Sequence, residues 1–123
     1  MLHPLAATVT VTTDYTTLVE DNPGGNYDTV TLQVTSAAGS ATLSDFRLSV
    51  KPHAGAEYEP FLGGADWASA TENMLFCTTT VPNTLAAEGQ ATVKVNVRGW
   101  YAIKFEAKVA SNTAAITVKG QCV

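Results

Sequence analysis

Charge is scarce in this chain, and one sign of it is missing from a long stretch. Only 15% of the 123 residues are Asp, Glu, Lys or Arg, against about a quarter in ordinary soluble domains. No Lys or Arg precedes Arg47. Surface helices laced with salt bridges need more charge than this, so the scarcity favours strands. Histidine is limited to His3 and His53, and cysteine to Cys77 and Cys122. The cysteines have no metal-ligand spacing. There is no Gly-x-Ser-x-Gly, no His-Glu-x-x-His and no Cys beside a His. The usual signatures of serine hydrolases, zinc hydrolases and cysteine enzymes are therefore missing. Also lacking are an Asn-x-Ser/Thr acceptor, a basic stretch at the amino terminus and any apolar run of membrane-spanning length. These absences predict a product made and kept in cytoplasm, with no membrane partner. In that compartment lone cysteines stay reduced and act as small hydrophobes. A secreted or periplasmic domain would instead predict a Cys77–Cys122 bridge. The net charge of −4 and the isoelectric point near 4.9 argue against nucleic acid as a partner.

What is present is β-forming. Hydrophobic residues make up 46% of the chain, enough for one domain spanning 1–123 to fill its own core. The clearest stretch is Tyr101–Val118. Tyr101, Ile103, Phe105, Ala107 and Val109 alternate with Ala102, Lys104, Glu106 and Lys108. Only a half-buried strand separates those side chains onto two faces. Ala114, Ile116 and Val118 alternate likewise. If Val109 pairs with Ala114, Ala110–Thr113 is a four-residue hairpin loop. Strand periodicity recurs over Ala6–Thr13, Thr29–Thr35, Leu43–Val50, Met74–Val81 and Ala91–Val97. Thr84–Ala87 has the makings of one helical turn. Met1–Ala7, with Pro4, precedes the first strand as an extended arm. Residues 53–73 form a long irregular loop, a length often associated with function.

Parity constrains the turn at Gly99. A two-residue Gly99–Trp100 hairpin would set Val93, Val95 and Val97 on the face opposite Ile103 and Phe105, which a one-sided core does not allow. Either Arg98–Trp100 is a three-residue loop, or the chain arches there from one sheet to another. The arch is favoured, and an arch followed by Tyr101 resembles the tyrosine corner of immunoglobulin-like domains. The predicted fold is all-β: a single antiparallel two-sheet β-sandwich of seven to eight strands, immunoglobulin-like, with a jelly roll as the alternative.

Residues 1–46 carry five acids and no base, whereas residues 89–123 carry Lys94, Arg98, Lys104, Lys108 and Lys119 against Glu106 alone. Such a division can be neutralised inside one sandwich, or it can join neighbouring subunits through opposite charges. Among candidate sites, His53 near Glu57 and Glu59 lacks a partnered nucleophile and reads as a surface loop histidine. Asp14, Glu20, Asp21 and Asp28 surround a Pro-Gly-Gly turn but lack a calcium-loop pattern. No metal or cofactor is expected. The long loop is more informative. Tyr58, Phe61 and Trp67 can tuck the loop onto the sheet, stack on a sugar, or contact another protein. Together with Lys104 and Lys108 they make up the candidate interaction surface.

Two segments, LSDFRLSVKPH at Leu43–His53 and GWYAIKFEAKVASNTAAITVKG at Gly99–Gly120, resemble small β-sandwich structural proteins of tailed bacteriophage virions. The resemblance implies a non-enzymatic virion protein assembled in the host cytoplasm. It implies further a head decoration protein that binds and stabilises the capsid. The partners it implies are other copies of the chain, a trimer being one arrangement, and the major capsid protein or another virion protein. It supplies no functional residues of its own. The alternative is a carbohydrate-binding or adhesin-like module, for which glycan binding lost in Trp67→Ala is the discriminating observation.

Overall fold

The computed structural model of the chain describes residues 3–21, 26–63, 75–77 and 84–123. Among these residues there are nine strands and no helix: β1 (His3–Val11), β2 (Thr16–Asp21), β3 (Thr29–Ser36), β4 (Leu43–Lys51), β5 (Glu59–Gly63), β6 (Leu75–Cys77), β7 (Gln90–Asn96), β8 (Ala102–Val109) and β9 (Ala114–Cys122). They form two antiparallel sheets packed as a sandwich. The larger has the order β1-β9-β3-β7-β6 and the smaller β2-β8-β4-β5.

That order decides between the two expected topologies. An immunoglobulin-like sandwich keeps most sequential neighbours within one sheet. Here β1, β2, β3 and β4 alternate between sheets, as do β7, β8 and β9, and only β4–β5 and β6–β7 are neighbours in both sequence and space. Setting aside the short edge strand β6, the interleaving is that of an eight-stranded jelly roll. The immunoglobulin-like expectation is therefore corrected to its alternative.

The Tyr101–Val118 hairpin is corrected as well. Its limbs are strands, but β8 pairs with β2 and β4, whereas β9 pairs with β1 and β3. The connection Ala110–Thr113 crosses from one sheet to the other, with Asn112 at φ 64°. Alternation fixes which side chains face the core. It does not fix which backbone the strand bonds to, and a hairpin and an arch bury the same apolar set. The expected arch at Arg98–Trp100 is present, because β7 and β8 lie in different sheets. Gly99 there has φ 90°, a conformation that costs glycine little. The Tyr101 amide beyond it donates to the Lys51 carbonyl at 2.8 Å.

Smaller expectations also shift. His3–Ala7, placed in an extended arm, belong to β1 and pair with Val118–Cys122. Glu59–Gly63, placed in the long loop, are β5 on the edge of the smaller sheet. Pro60 is tolerated there because an edge strand has a side that needs no donor. Leu85 exchanges two backbone hydrogen bonds with Leu43, at 2.8 and 3.1 Å, in an isolated bridge where a helical turn was expected. Of the strand expected over Met74–Val81, Leu75–Cys77 is β6 and the remainder lies outside the described residues. Sheet order also speaks on the cysteines. β6 and β9 are separated by β7 and β3, so three inter-strand spacings, about 14 Å, lie between them. A disulfide needs Cα atoms within about 7 Å, so Cys77 and Cys122 do not bridge within one chain.

Between the sheets lies one apolar cluster, including Val30, Leu32, Val34, Phe46, Leu48, Phe105, Ile116 and Val118, all at most 2% exposed. Gly120 sits in β9 where two backbones come close. A Cβ added to it would fall on the carbonyl oxygen of Thr31. Neither strand can yield without breaking a ladder, because β9 is paired on both sides. Gly120→Ala should therefore destabilise the fold by about 1–3 kcal/mol. A denaturant midpoint equal to that of the natural chain would refute this close approach.

Candidate functional site

The outer face of the smaller sheet carries the densest set of polar contacts among the described residues. Its origin is the register between β4 and β8. Asp45 lies opposite Lys108, Arg47 opposite Glu106, and Ser49 opposite Lys104. Both strands alternate, so one-residue steps send Phe46, Leu48, Phe105 and Ala107 inward and these polar groups outward. Opposite charges directly across a sheet attract. This register therefore orders the outer face with the same pairing that aligns the core.

Glu106 is the centre. Its side chain is only 5% exposed although it points away from the core. Arg47 Nε donates to Oε1 and Arg47 Nη2 to Oε2, each at 3.1 Å. The Ser49 hydroxyl donates to Oε1 at 3.1 Å, and Lys104 Nζ stands 4.0 Å from Oε2. A forked guanidinium–carboxylate contact is the strong geometry for such a pair, and the hydroxyl satisfies a further lone pair.

Two tyrosines frame this centre. Tyr15, just before β2, lies under the Arg47 guanidinium at 3.9 Å from the ring centroid, with Lys108 Nζ at 4.7 Å. Tyr58, just before β5, has Lys104 Nζ at 4.7 Å and Lys51 Nζ at 5.1 Å. Ring faces carry negative potential and hold cations at these distances. Lys108 also reaches Asp45 at 4.0 Å. Each tyrosine thus gathers two cations, and the four cations of β4 and β8 meet only two carboxylates on those strands. Glu20 of β2, opposite Lys104, is a third carboxylate on the face, so these groups leave it one formal positive charge on a chain whose net charge is −4.

Of the expected surface residues, the structure brings Tyr58, Lys104 and Lys108 onto this one face. Phe61 is in β5 of the same sheet, at the point where the β4–β5 register shifts. Trp67 lies outside the described residues. Arg47, Lys51, Ser49, Glu106 and Tyr15 were not singled out from the sequence. Tyr15 carried no signal, and that of the others was alternating charge in Leu43–Lys51 and Tyr101–Val109, which becomes a site once the two strands are known to be neighbours.

Of the acidic groups of the amino-terminal part, Asp28 and Asp45 find cationic partners in the same chain. Arg98 and Asp28 form a two-pronged pair at 3.2 and 3.0 Å on the surface. Hydrogen bonding to Arg98, and then its charge, hold the Asp28 carboxyl below its usual range. Glu20 lies opposite Lys104 in the β2–β8 register. Around Asp14, the Thr12 and Thr16 hydroxyls knit the β1–β2 connection. His53 is exposed, and its Nδ1 accepts the Gly55 amide at 3.2 Å, which closes a local turn. Among the described residues no group of three or more His, Cys, Asp or Glu could hold a metal ion.

No family model matches the chain, and no curated protein matches it. Among solved structures, the crystal structure of the SPBc2 prophage-derived protein YomS is similar, with a TM-score of 0.52. The superposition covers 97% of this chain and 95% of that one, at 10% identity. The likeness is one of fold, and it extends over nearly the whole of both chains.

Proposed function

We propose that the chain is a non-enzymatic structural protein of a bacteriophage particle, and that within the particle it is a head decoration protein. The observation that carries the phage reading is the end-to-end fold similarity to a prophage-derived protein. What supports recognition of a large surface, and not of a small substrate, is the character of the best-built site. It is a sheet face whose cations are held in place by Tyr15, Tyr58 and Glu106. Side chains ordered before contact lose little entropy on binding. Residual positive charge suits an acidic patch on the partner.

The mechanism follows from linkage. A protein that binds the assembled shell, and not its free subunits, stabilises the shell by mass action, and many copies add their effects. Tyr58, Lys104 and Lys108 are the proposed contact residues, and Phe61 and Trp67 are the further aromatic candidates from the sequence. The test is co-sedimentation of the purified protein with intact heads and, separately, with isolated tails. Heads should carry the protein down and should release their DNA at a higher temperature when it is bound. A Lys104→Glu/Lys108→Glu variant that still folds should bind heads more weakly. Binding to tails alone would move the protein to the tail, and binding to neither would overturn the virion reading.

A further inference from the structure

A sandwich with two open sheets has four edges, and three of them here are guarded. β2 ends in Glu20 and Asp21, and its pairing with β8 is interrupted between Thr17 and Val19. β5 is five residues long, contains Pro60 and shifts register against β4. β6 presents three residues among those described. Charge, proline, bulges and brevity are the standard devices that stop an edge from taking on another strand.

β1 has none of them along most of its length. It pairs with β9 over nine consecutive residues without a register shift. Leu5–Thr12, LAATVTVT, contains no charged residue, no proline and no glycine. The only guard is Pro4, at the start of the strand. A second observation lies on the same edge. Leu5, Ala7 and Val9 face the core but stay half-exposed, whereas Val11 and the equivalent residues of β3 and β9, such as Val34 and Val118, are fully buried. Among the described residues, β1 thus has no strand on its outer side and carries incompletely covered apolar side chains along one line.

We propose that the β1 edge is a strand-addition site whose occupant is β1 of a second copy, paired antiparallel across a two-fold axis near Thr8. A two-fold interface uses the same patch twice, so that patch must be compatible with itself. This edge is compatible for a simple reason: it has no charge that could meet its own kind. Parity agrees as well. Centring the pair on Thr8 sets Ala7 against Val9 and Leu5 against Val11 on the core side, and Ala6 against Thr10 on the outer side. The half-exposed apolar residues of one copy then cover those of the other, and the two larger sheets become one continuous sheet. The inference stands on the edge itself and holds whether or not the protein belongs to a virion.

Light scattering on the eluting protein tests it. The natural chain should run with the mass of two chains at high concentration. Thr8→Lys and Thr8→Glu alter an exposed position, so each should keep its β-type circular dichroism and fall to the mass of one chain. Mixing the two variants should restore the mass of two chains, because opposite charges then meet at the axis. A natural chain that runs as one chain or as three overturns the proposal. So does a folded Thr8→Lys that keeps its partner, or a mixture of folded variants that stays at one chain.

Discussion

Replacing Arg47 with Met should destabilise the protein by about 3 kcal/mol, the lower end of what is found when one partner of a desolvated ion pair is removed. The variant keeps an unbranched side chain of similar reach over Tyr15, so it removes charge and hydrogen bonds more than packing. It leaves Glu106 only 5% exposed with just the Ser49 hydroxyl and a distant Lys104 to hold its charge. The lower end applies because Arg47 itself is 28% exposed, so water partly reaches the pair. Replacing both partners with apolar residues, as in Arg47→Met/Glu106→Leu, should recover most of the loss, since no buried charge is then stranded. Urea denaturation of the three proteins measures both effects. If Arg47→Met alone cost under about 1 kcal/mol, it would behave like an exposed surface pair, and the central role given to Glu106 would fail.

The other large effect belongs to the aromatic pair that ties the two central strands of the smaller sheet. Phe46 and Phe105 are 1% and 0% exposed, with ring centroids 5.7 Å apart and planes inclined by 25°. Phe105→Ala should cost about 3–5 kcal/mol through lost burial and the cavity left behind. A domain of this kind is stable by roughly 5–15 kcal/mol in all, so the variant should melt far earlier or fail to fold at body temperature. The rings are also expected to couple. A Phe46→Ala/Phe105→Ala double-mutant cycle should show about 0.5–1.5 kcal/mol beyond additivity. Strict additivity would mean that the two rings fill the core independently and that their stacking has no energetic content.

Side-chain direction was legible in the sequence, and strand partners were not. Val30, Leu32 and Val34 point inward as alternation requires, and so do Ile103, Phe105 and Val109. Parity at Gly99 left a three-residue loop or an arch, and the favoured arch is the one present. Yet the same alternation made β8 and β9 look like a hairpin, because nothing in Ala110–Thr113 says which sheet receives the second limb. The missing information is long-range: β9 is inserted between β1 and β3, strands more than seventy residues away in the chain. The site was half-legible for the same reason. Lys104 and Lys108 stood out as the basic part of an acidic chain, and Tyr58 as an aromatic in a long loop. Arg47 and Glu106 are 59 residues apart and look like ordinary surface charges until β4 lies beside β8. The burial of Glu106 on an outward face has no sequence signal, since it depends on Arg47 and Ser49 converging from the neighbouring strand.

The pairing of His3 with Cys122 also has a consequence in time. β9 is an inner strand of the larger sheet, and β1 has no other partner among the described strands. A growing chain that has emerged only through β8 holds β1 with no neighbour in its sheet and β3 with one side bare. Completion of that sheet must therefore wait for residues 114–122. Until then the uncharged Leu5–Thr12 segment is exposed on the nascent chain. Folds governed by such distant pairings form on the order of milliseconds to seconds. This leaves a window in which one nascent chain can meet the same segment of another on the same message.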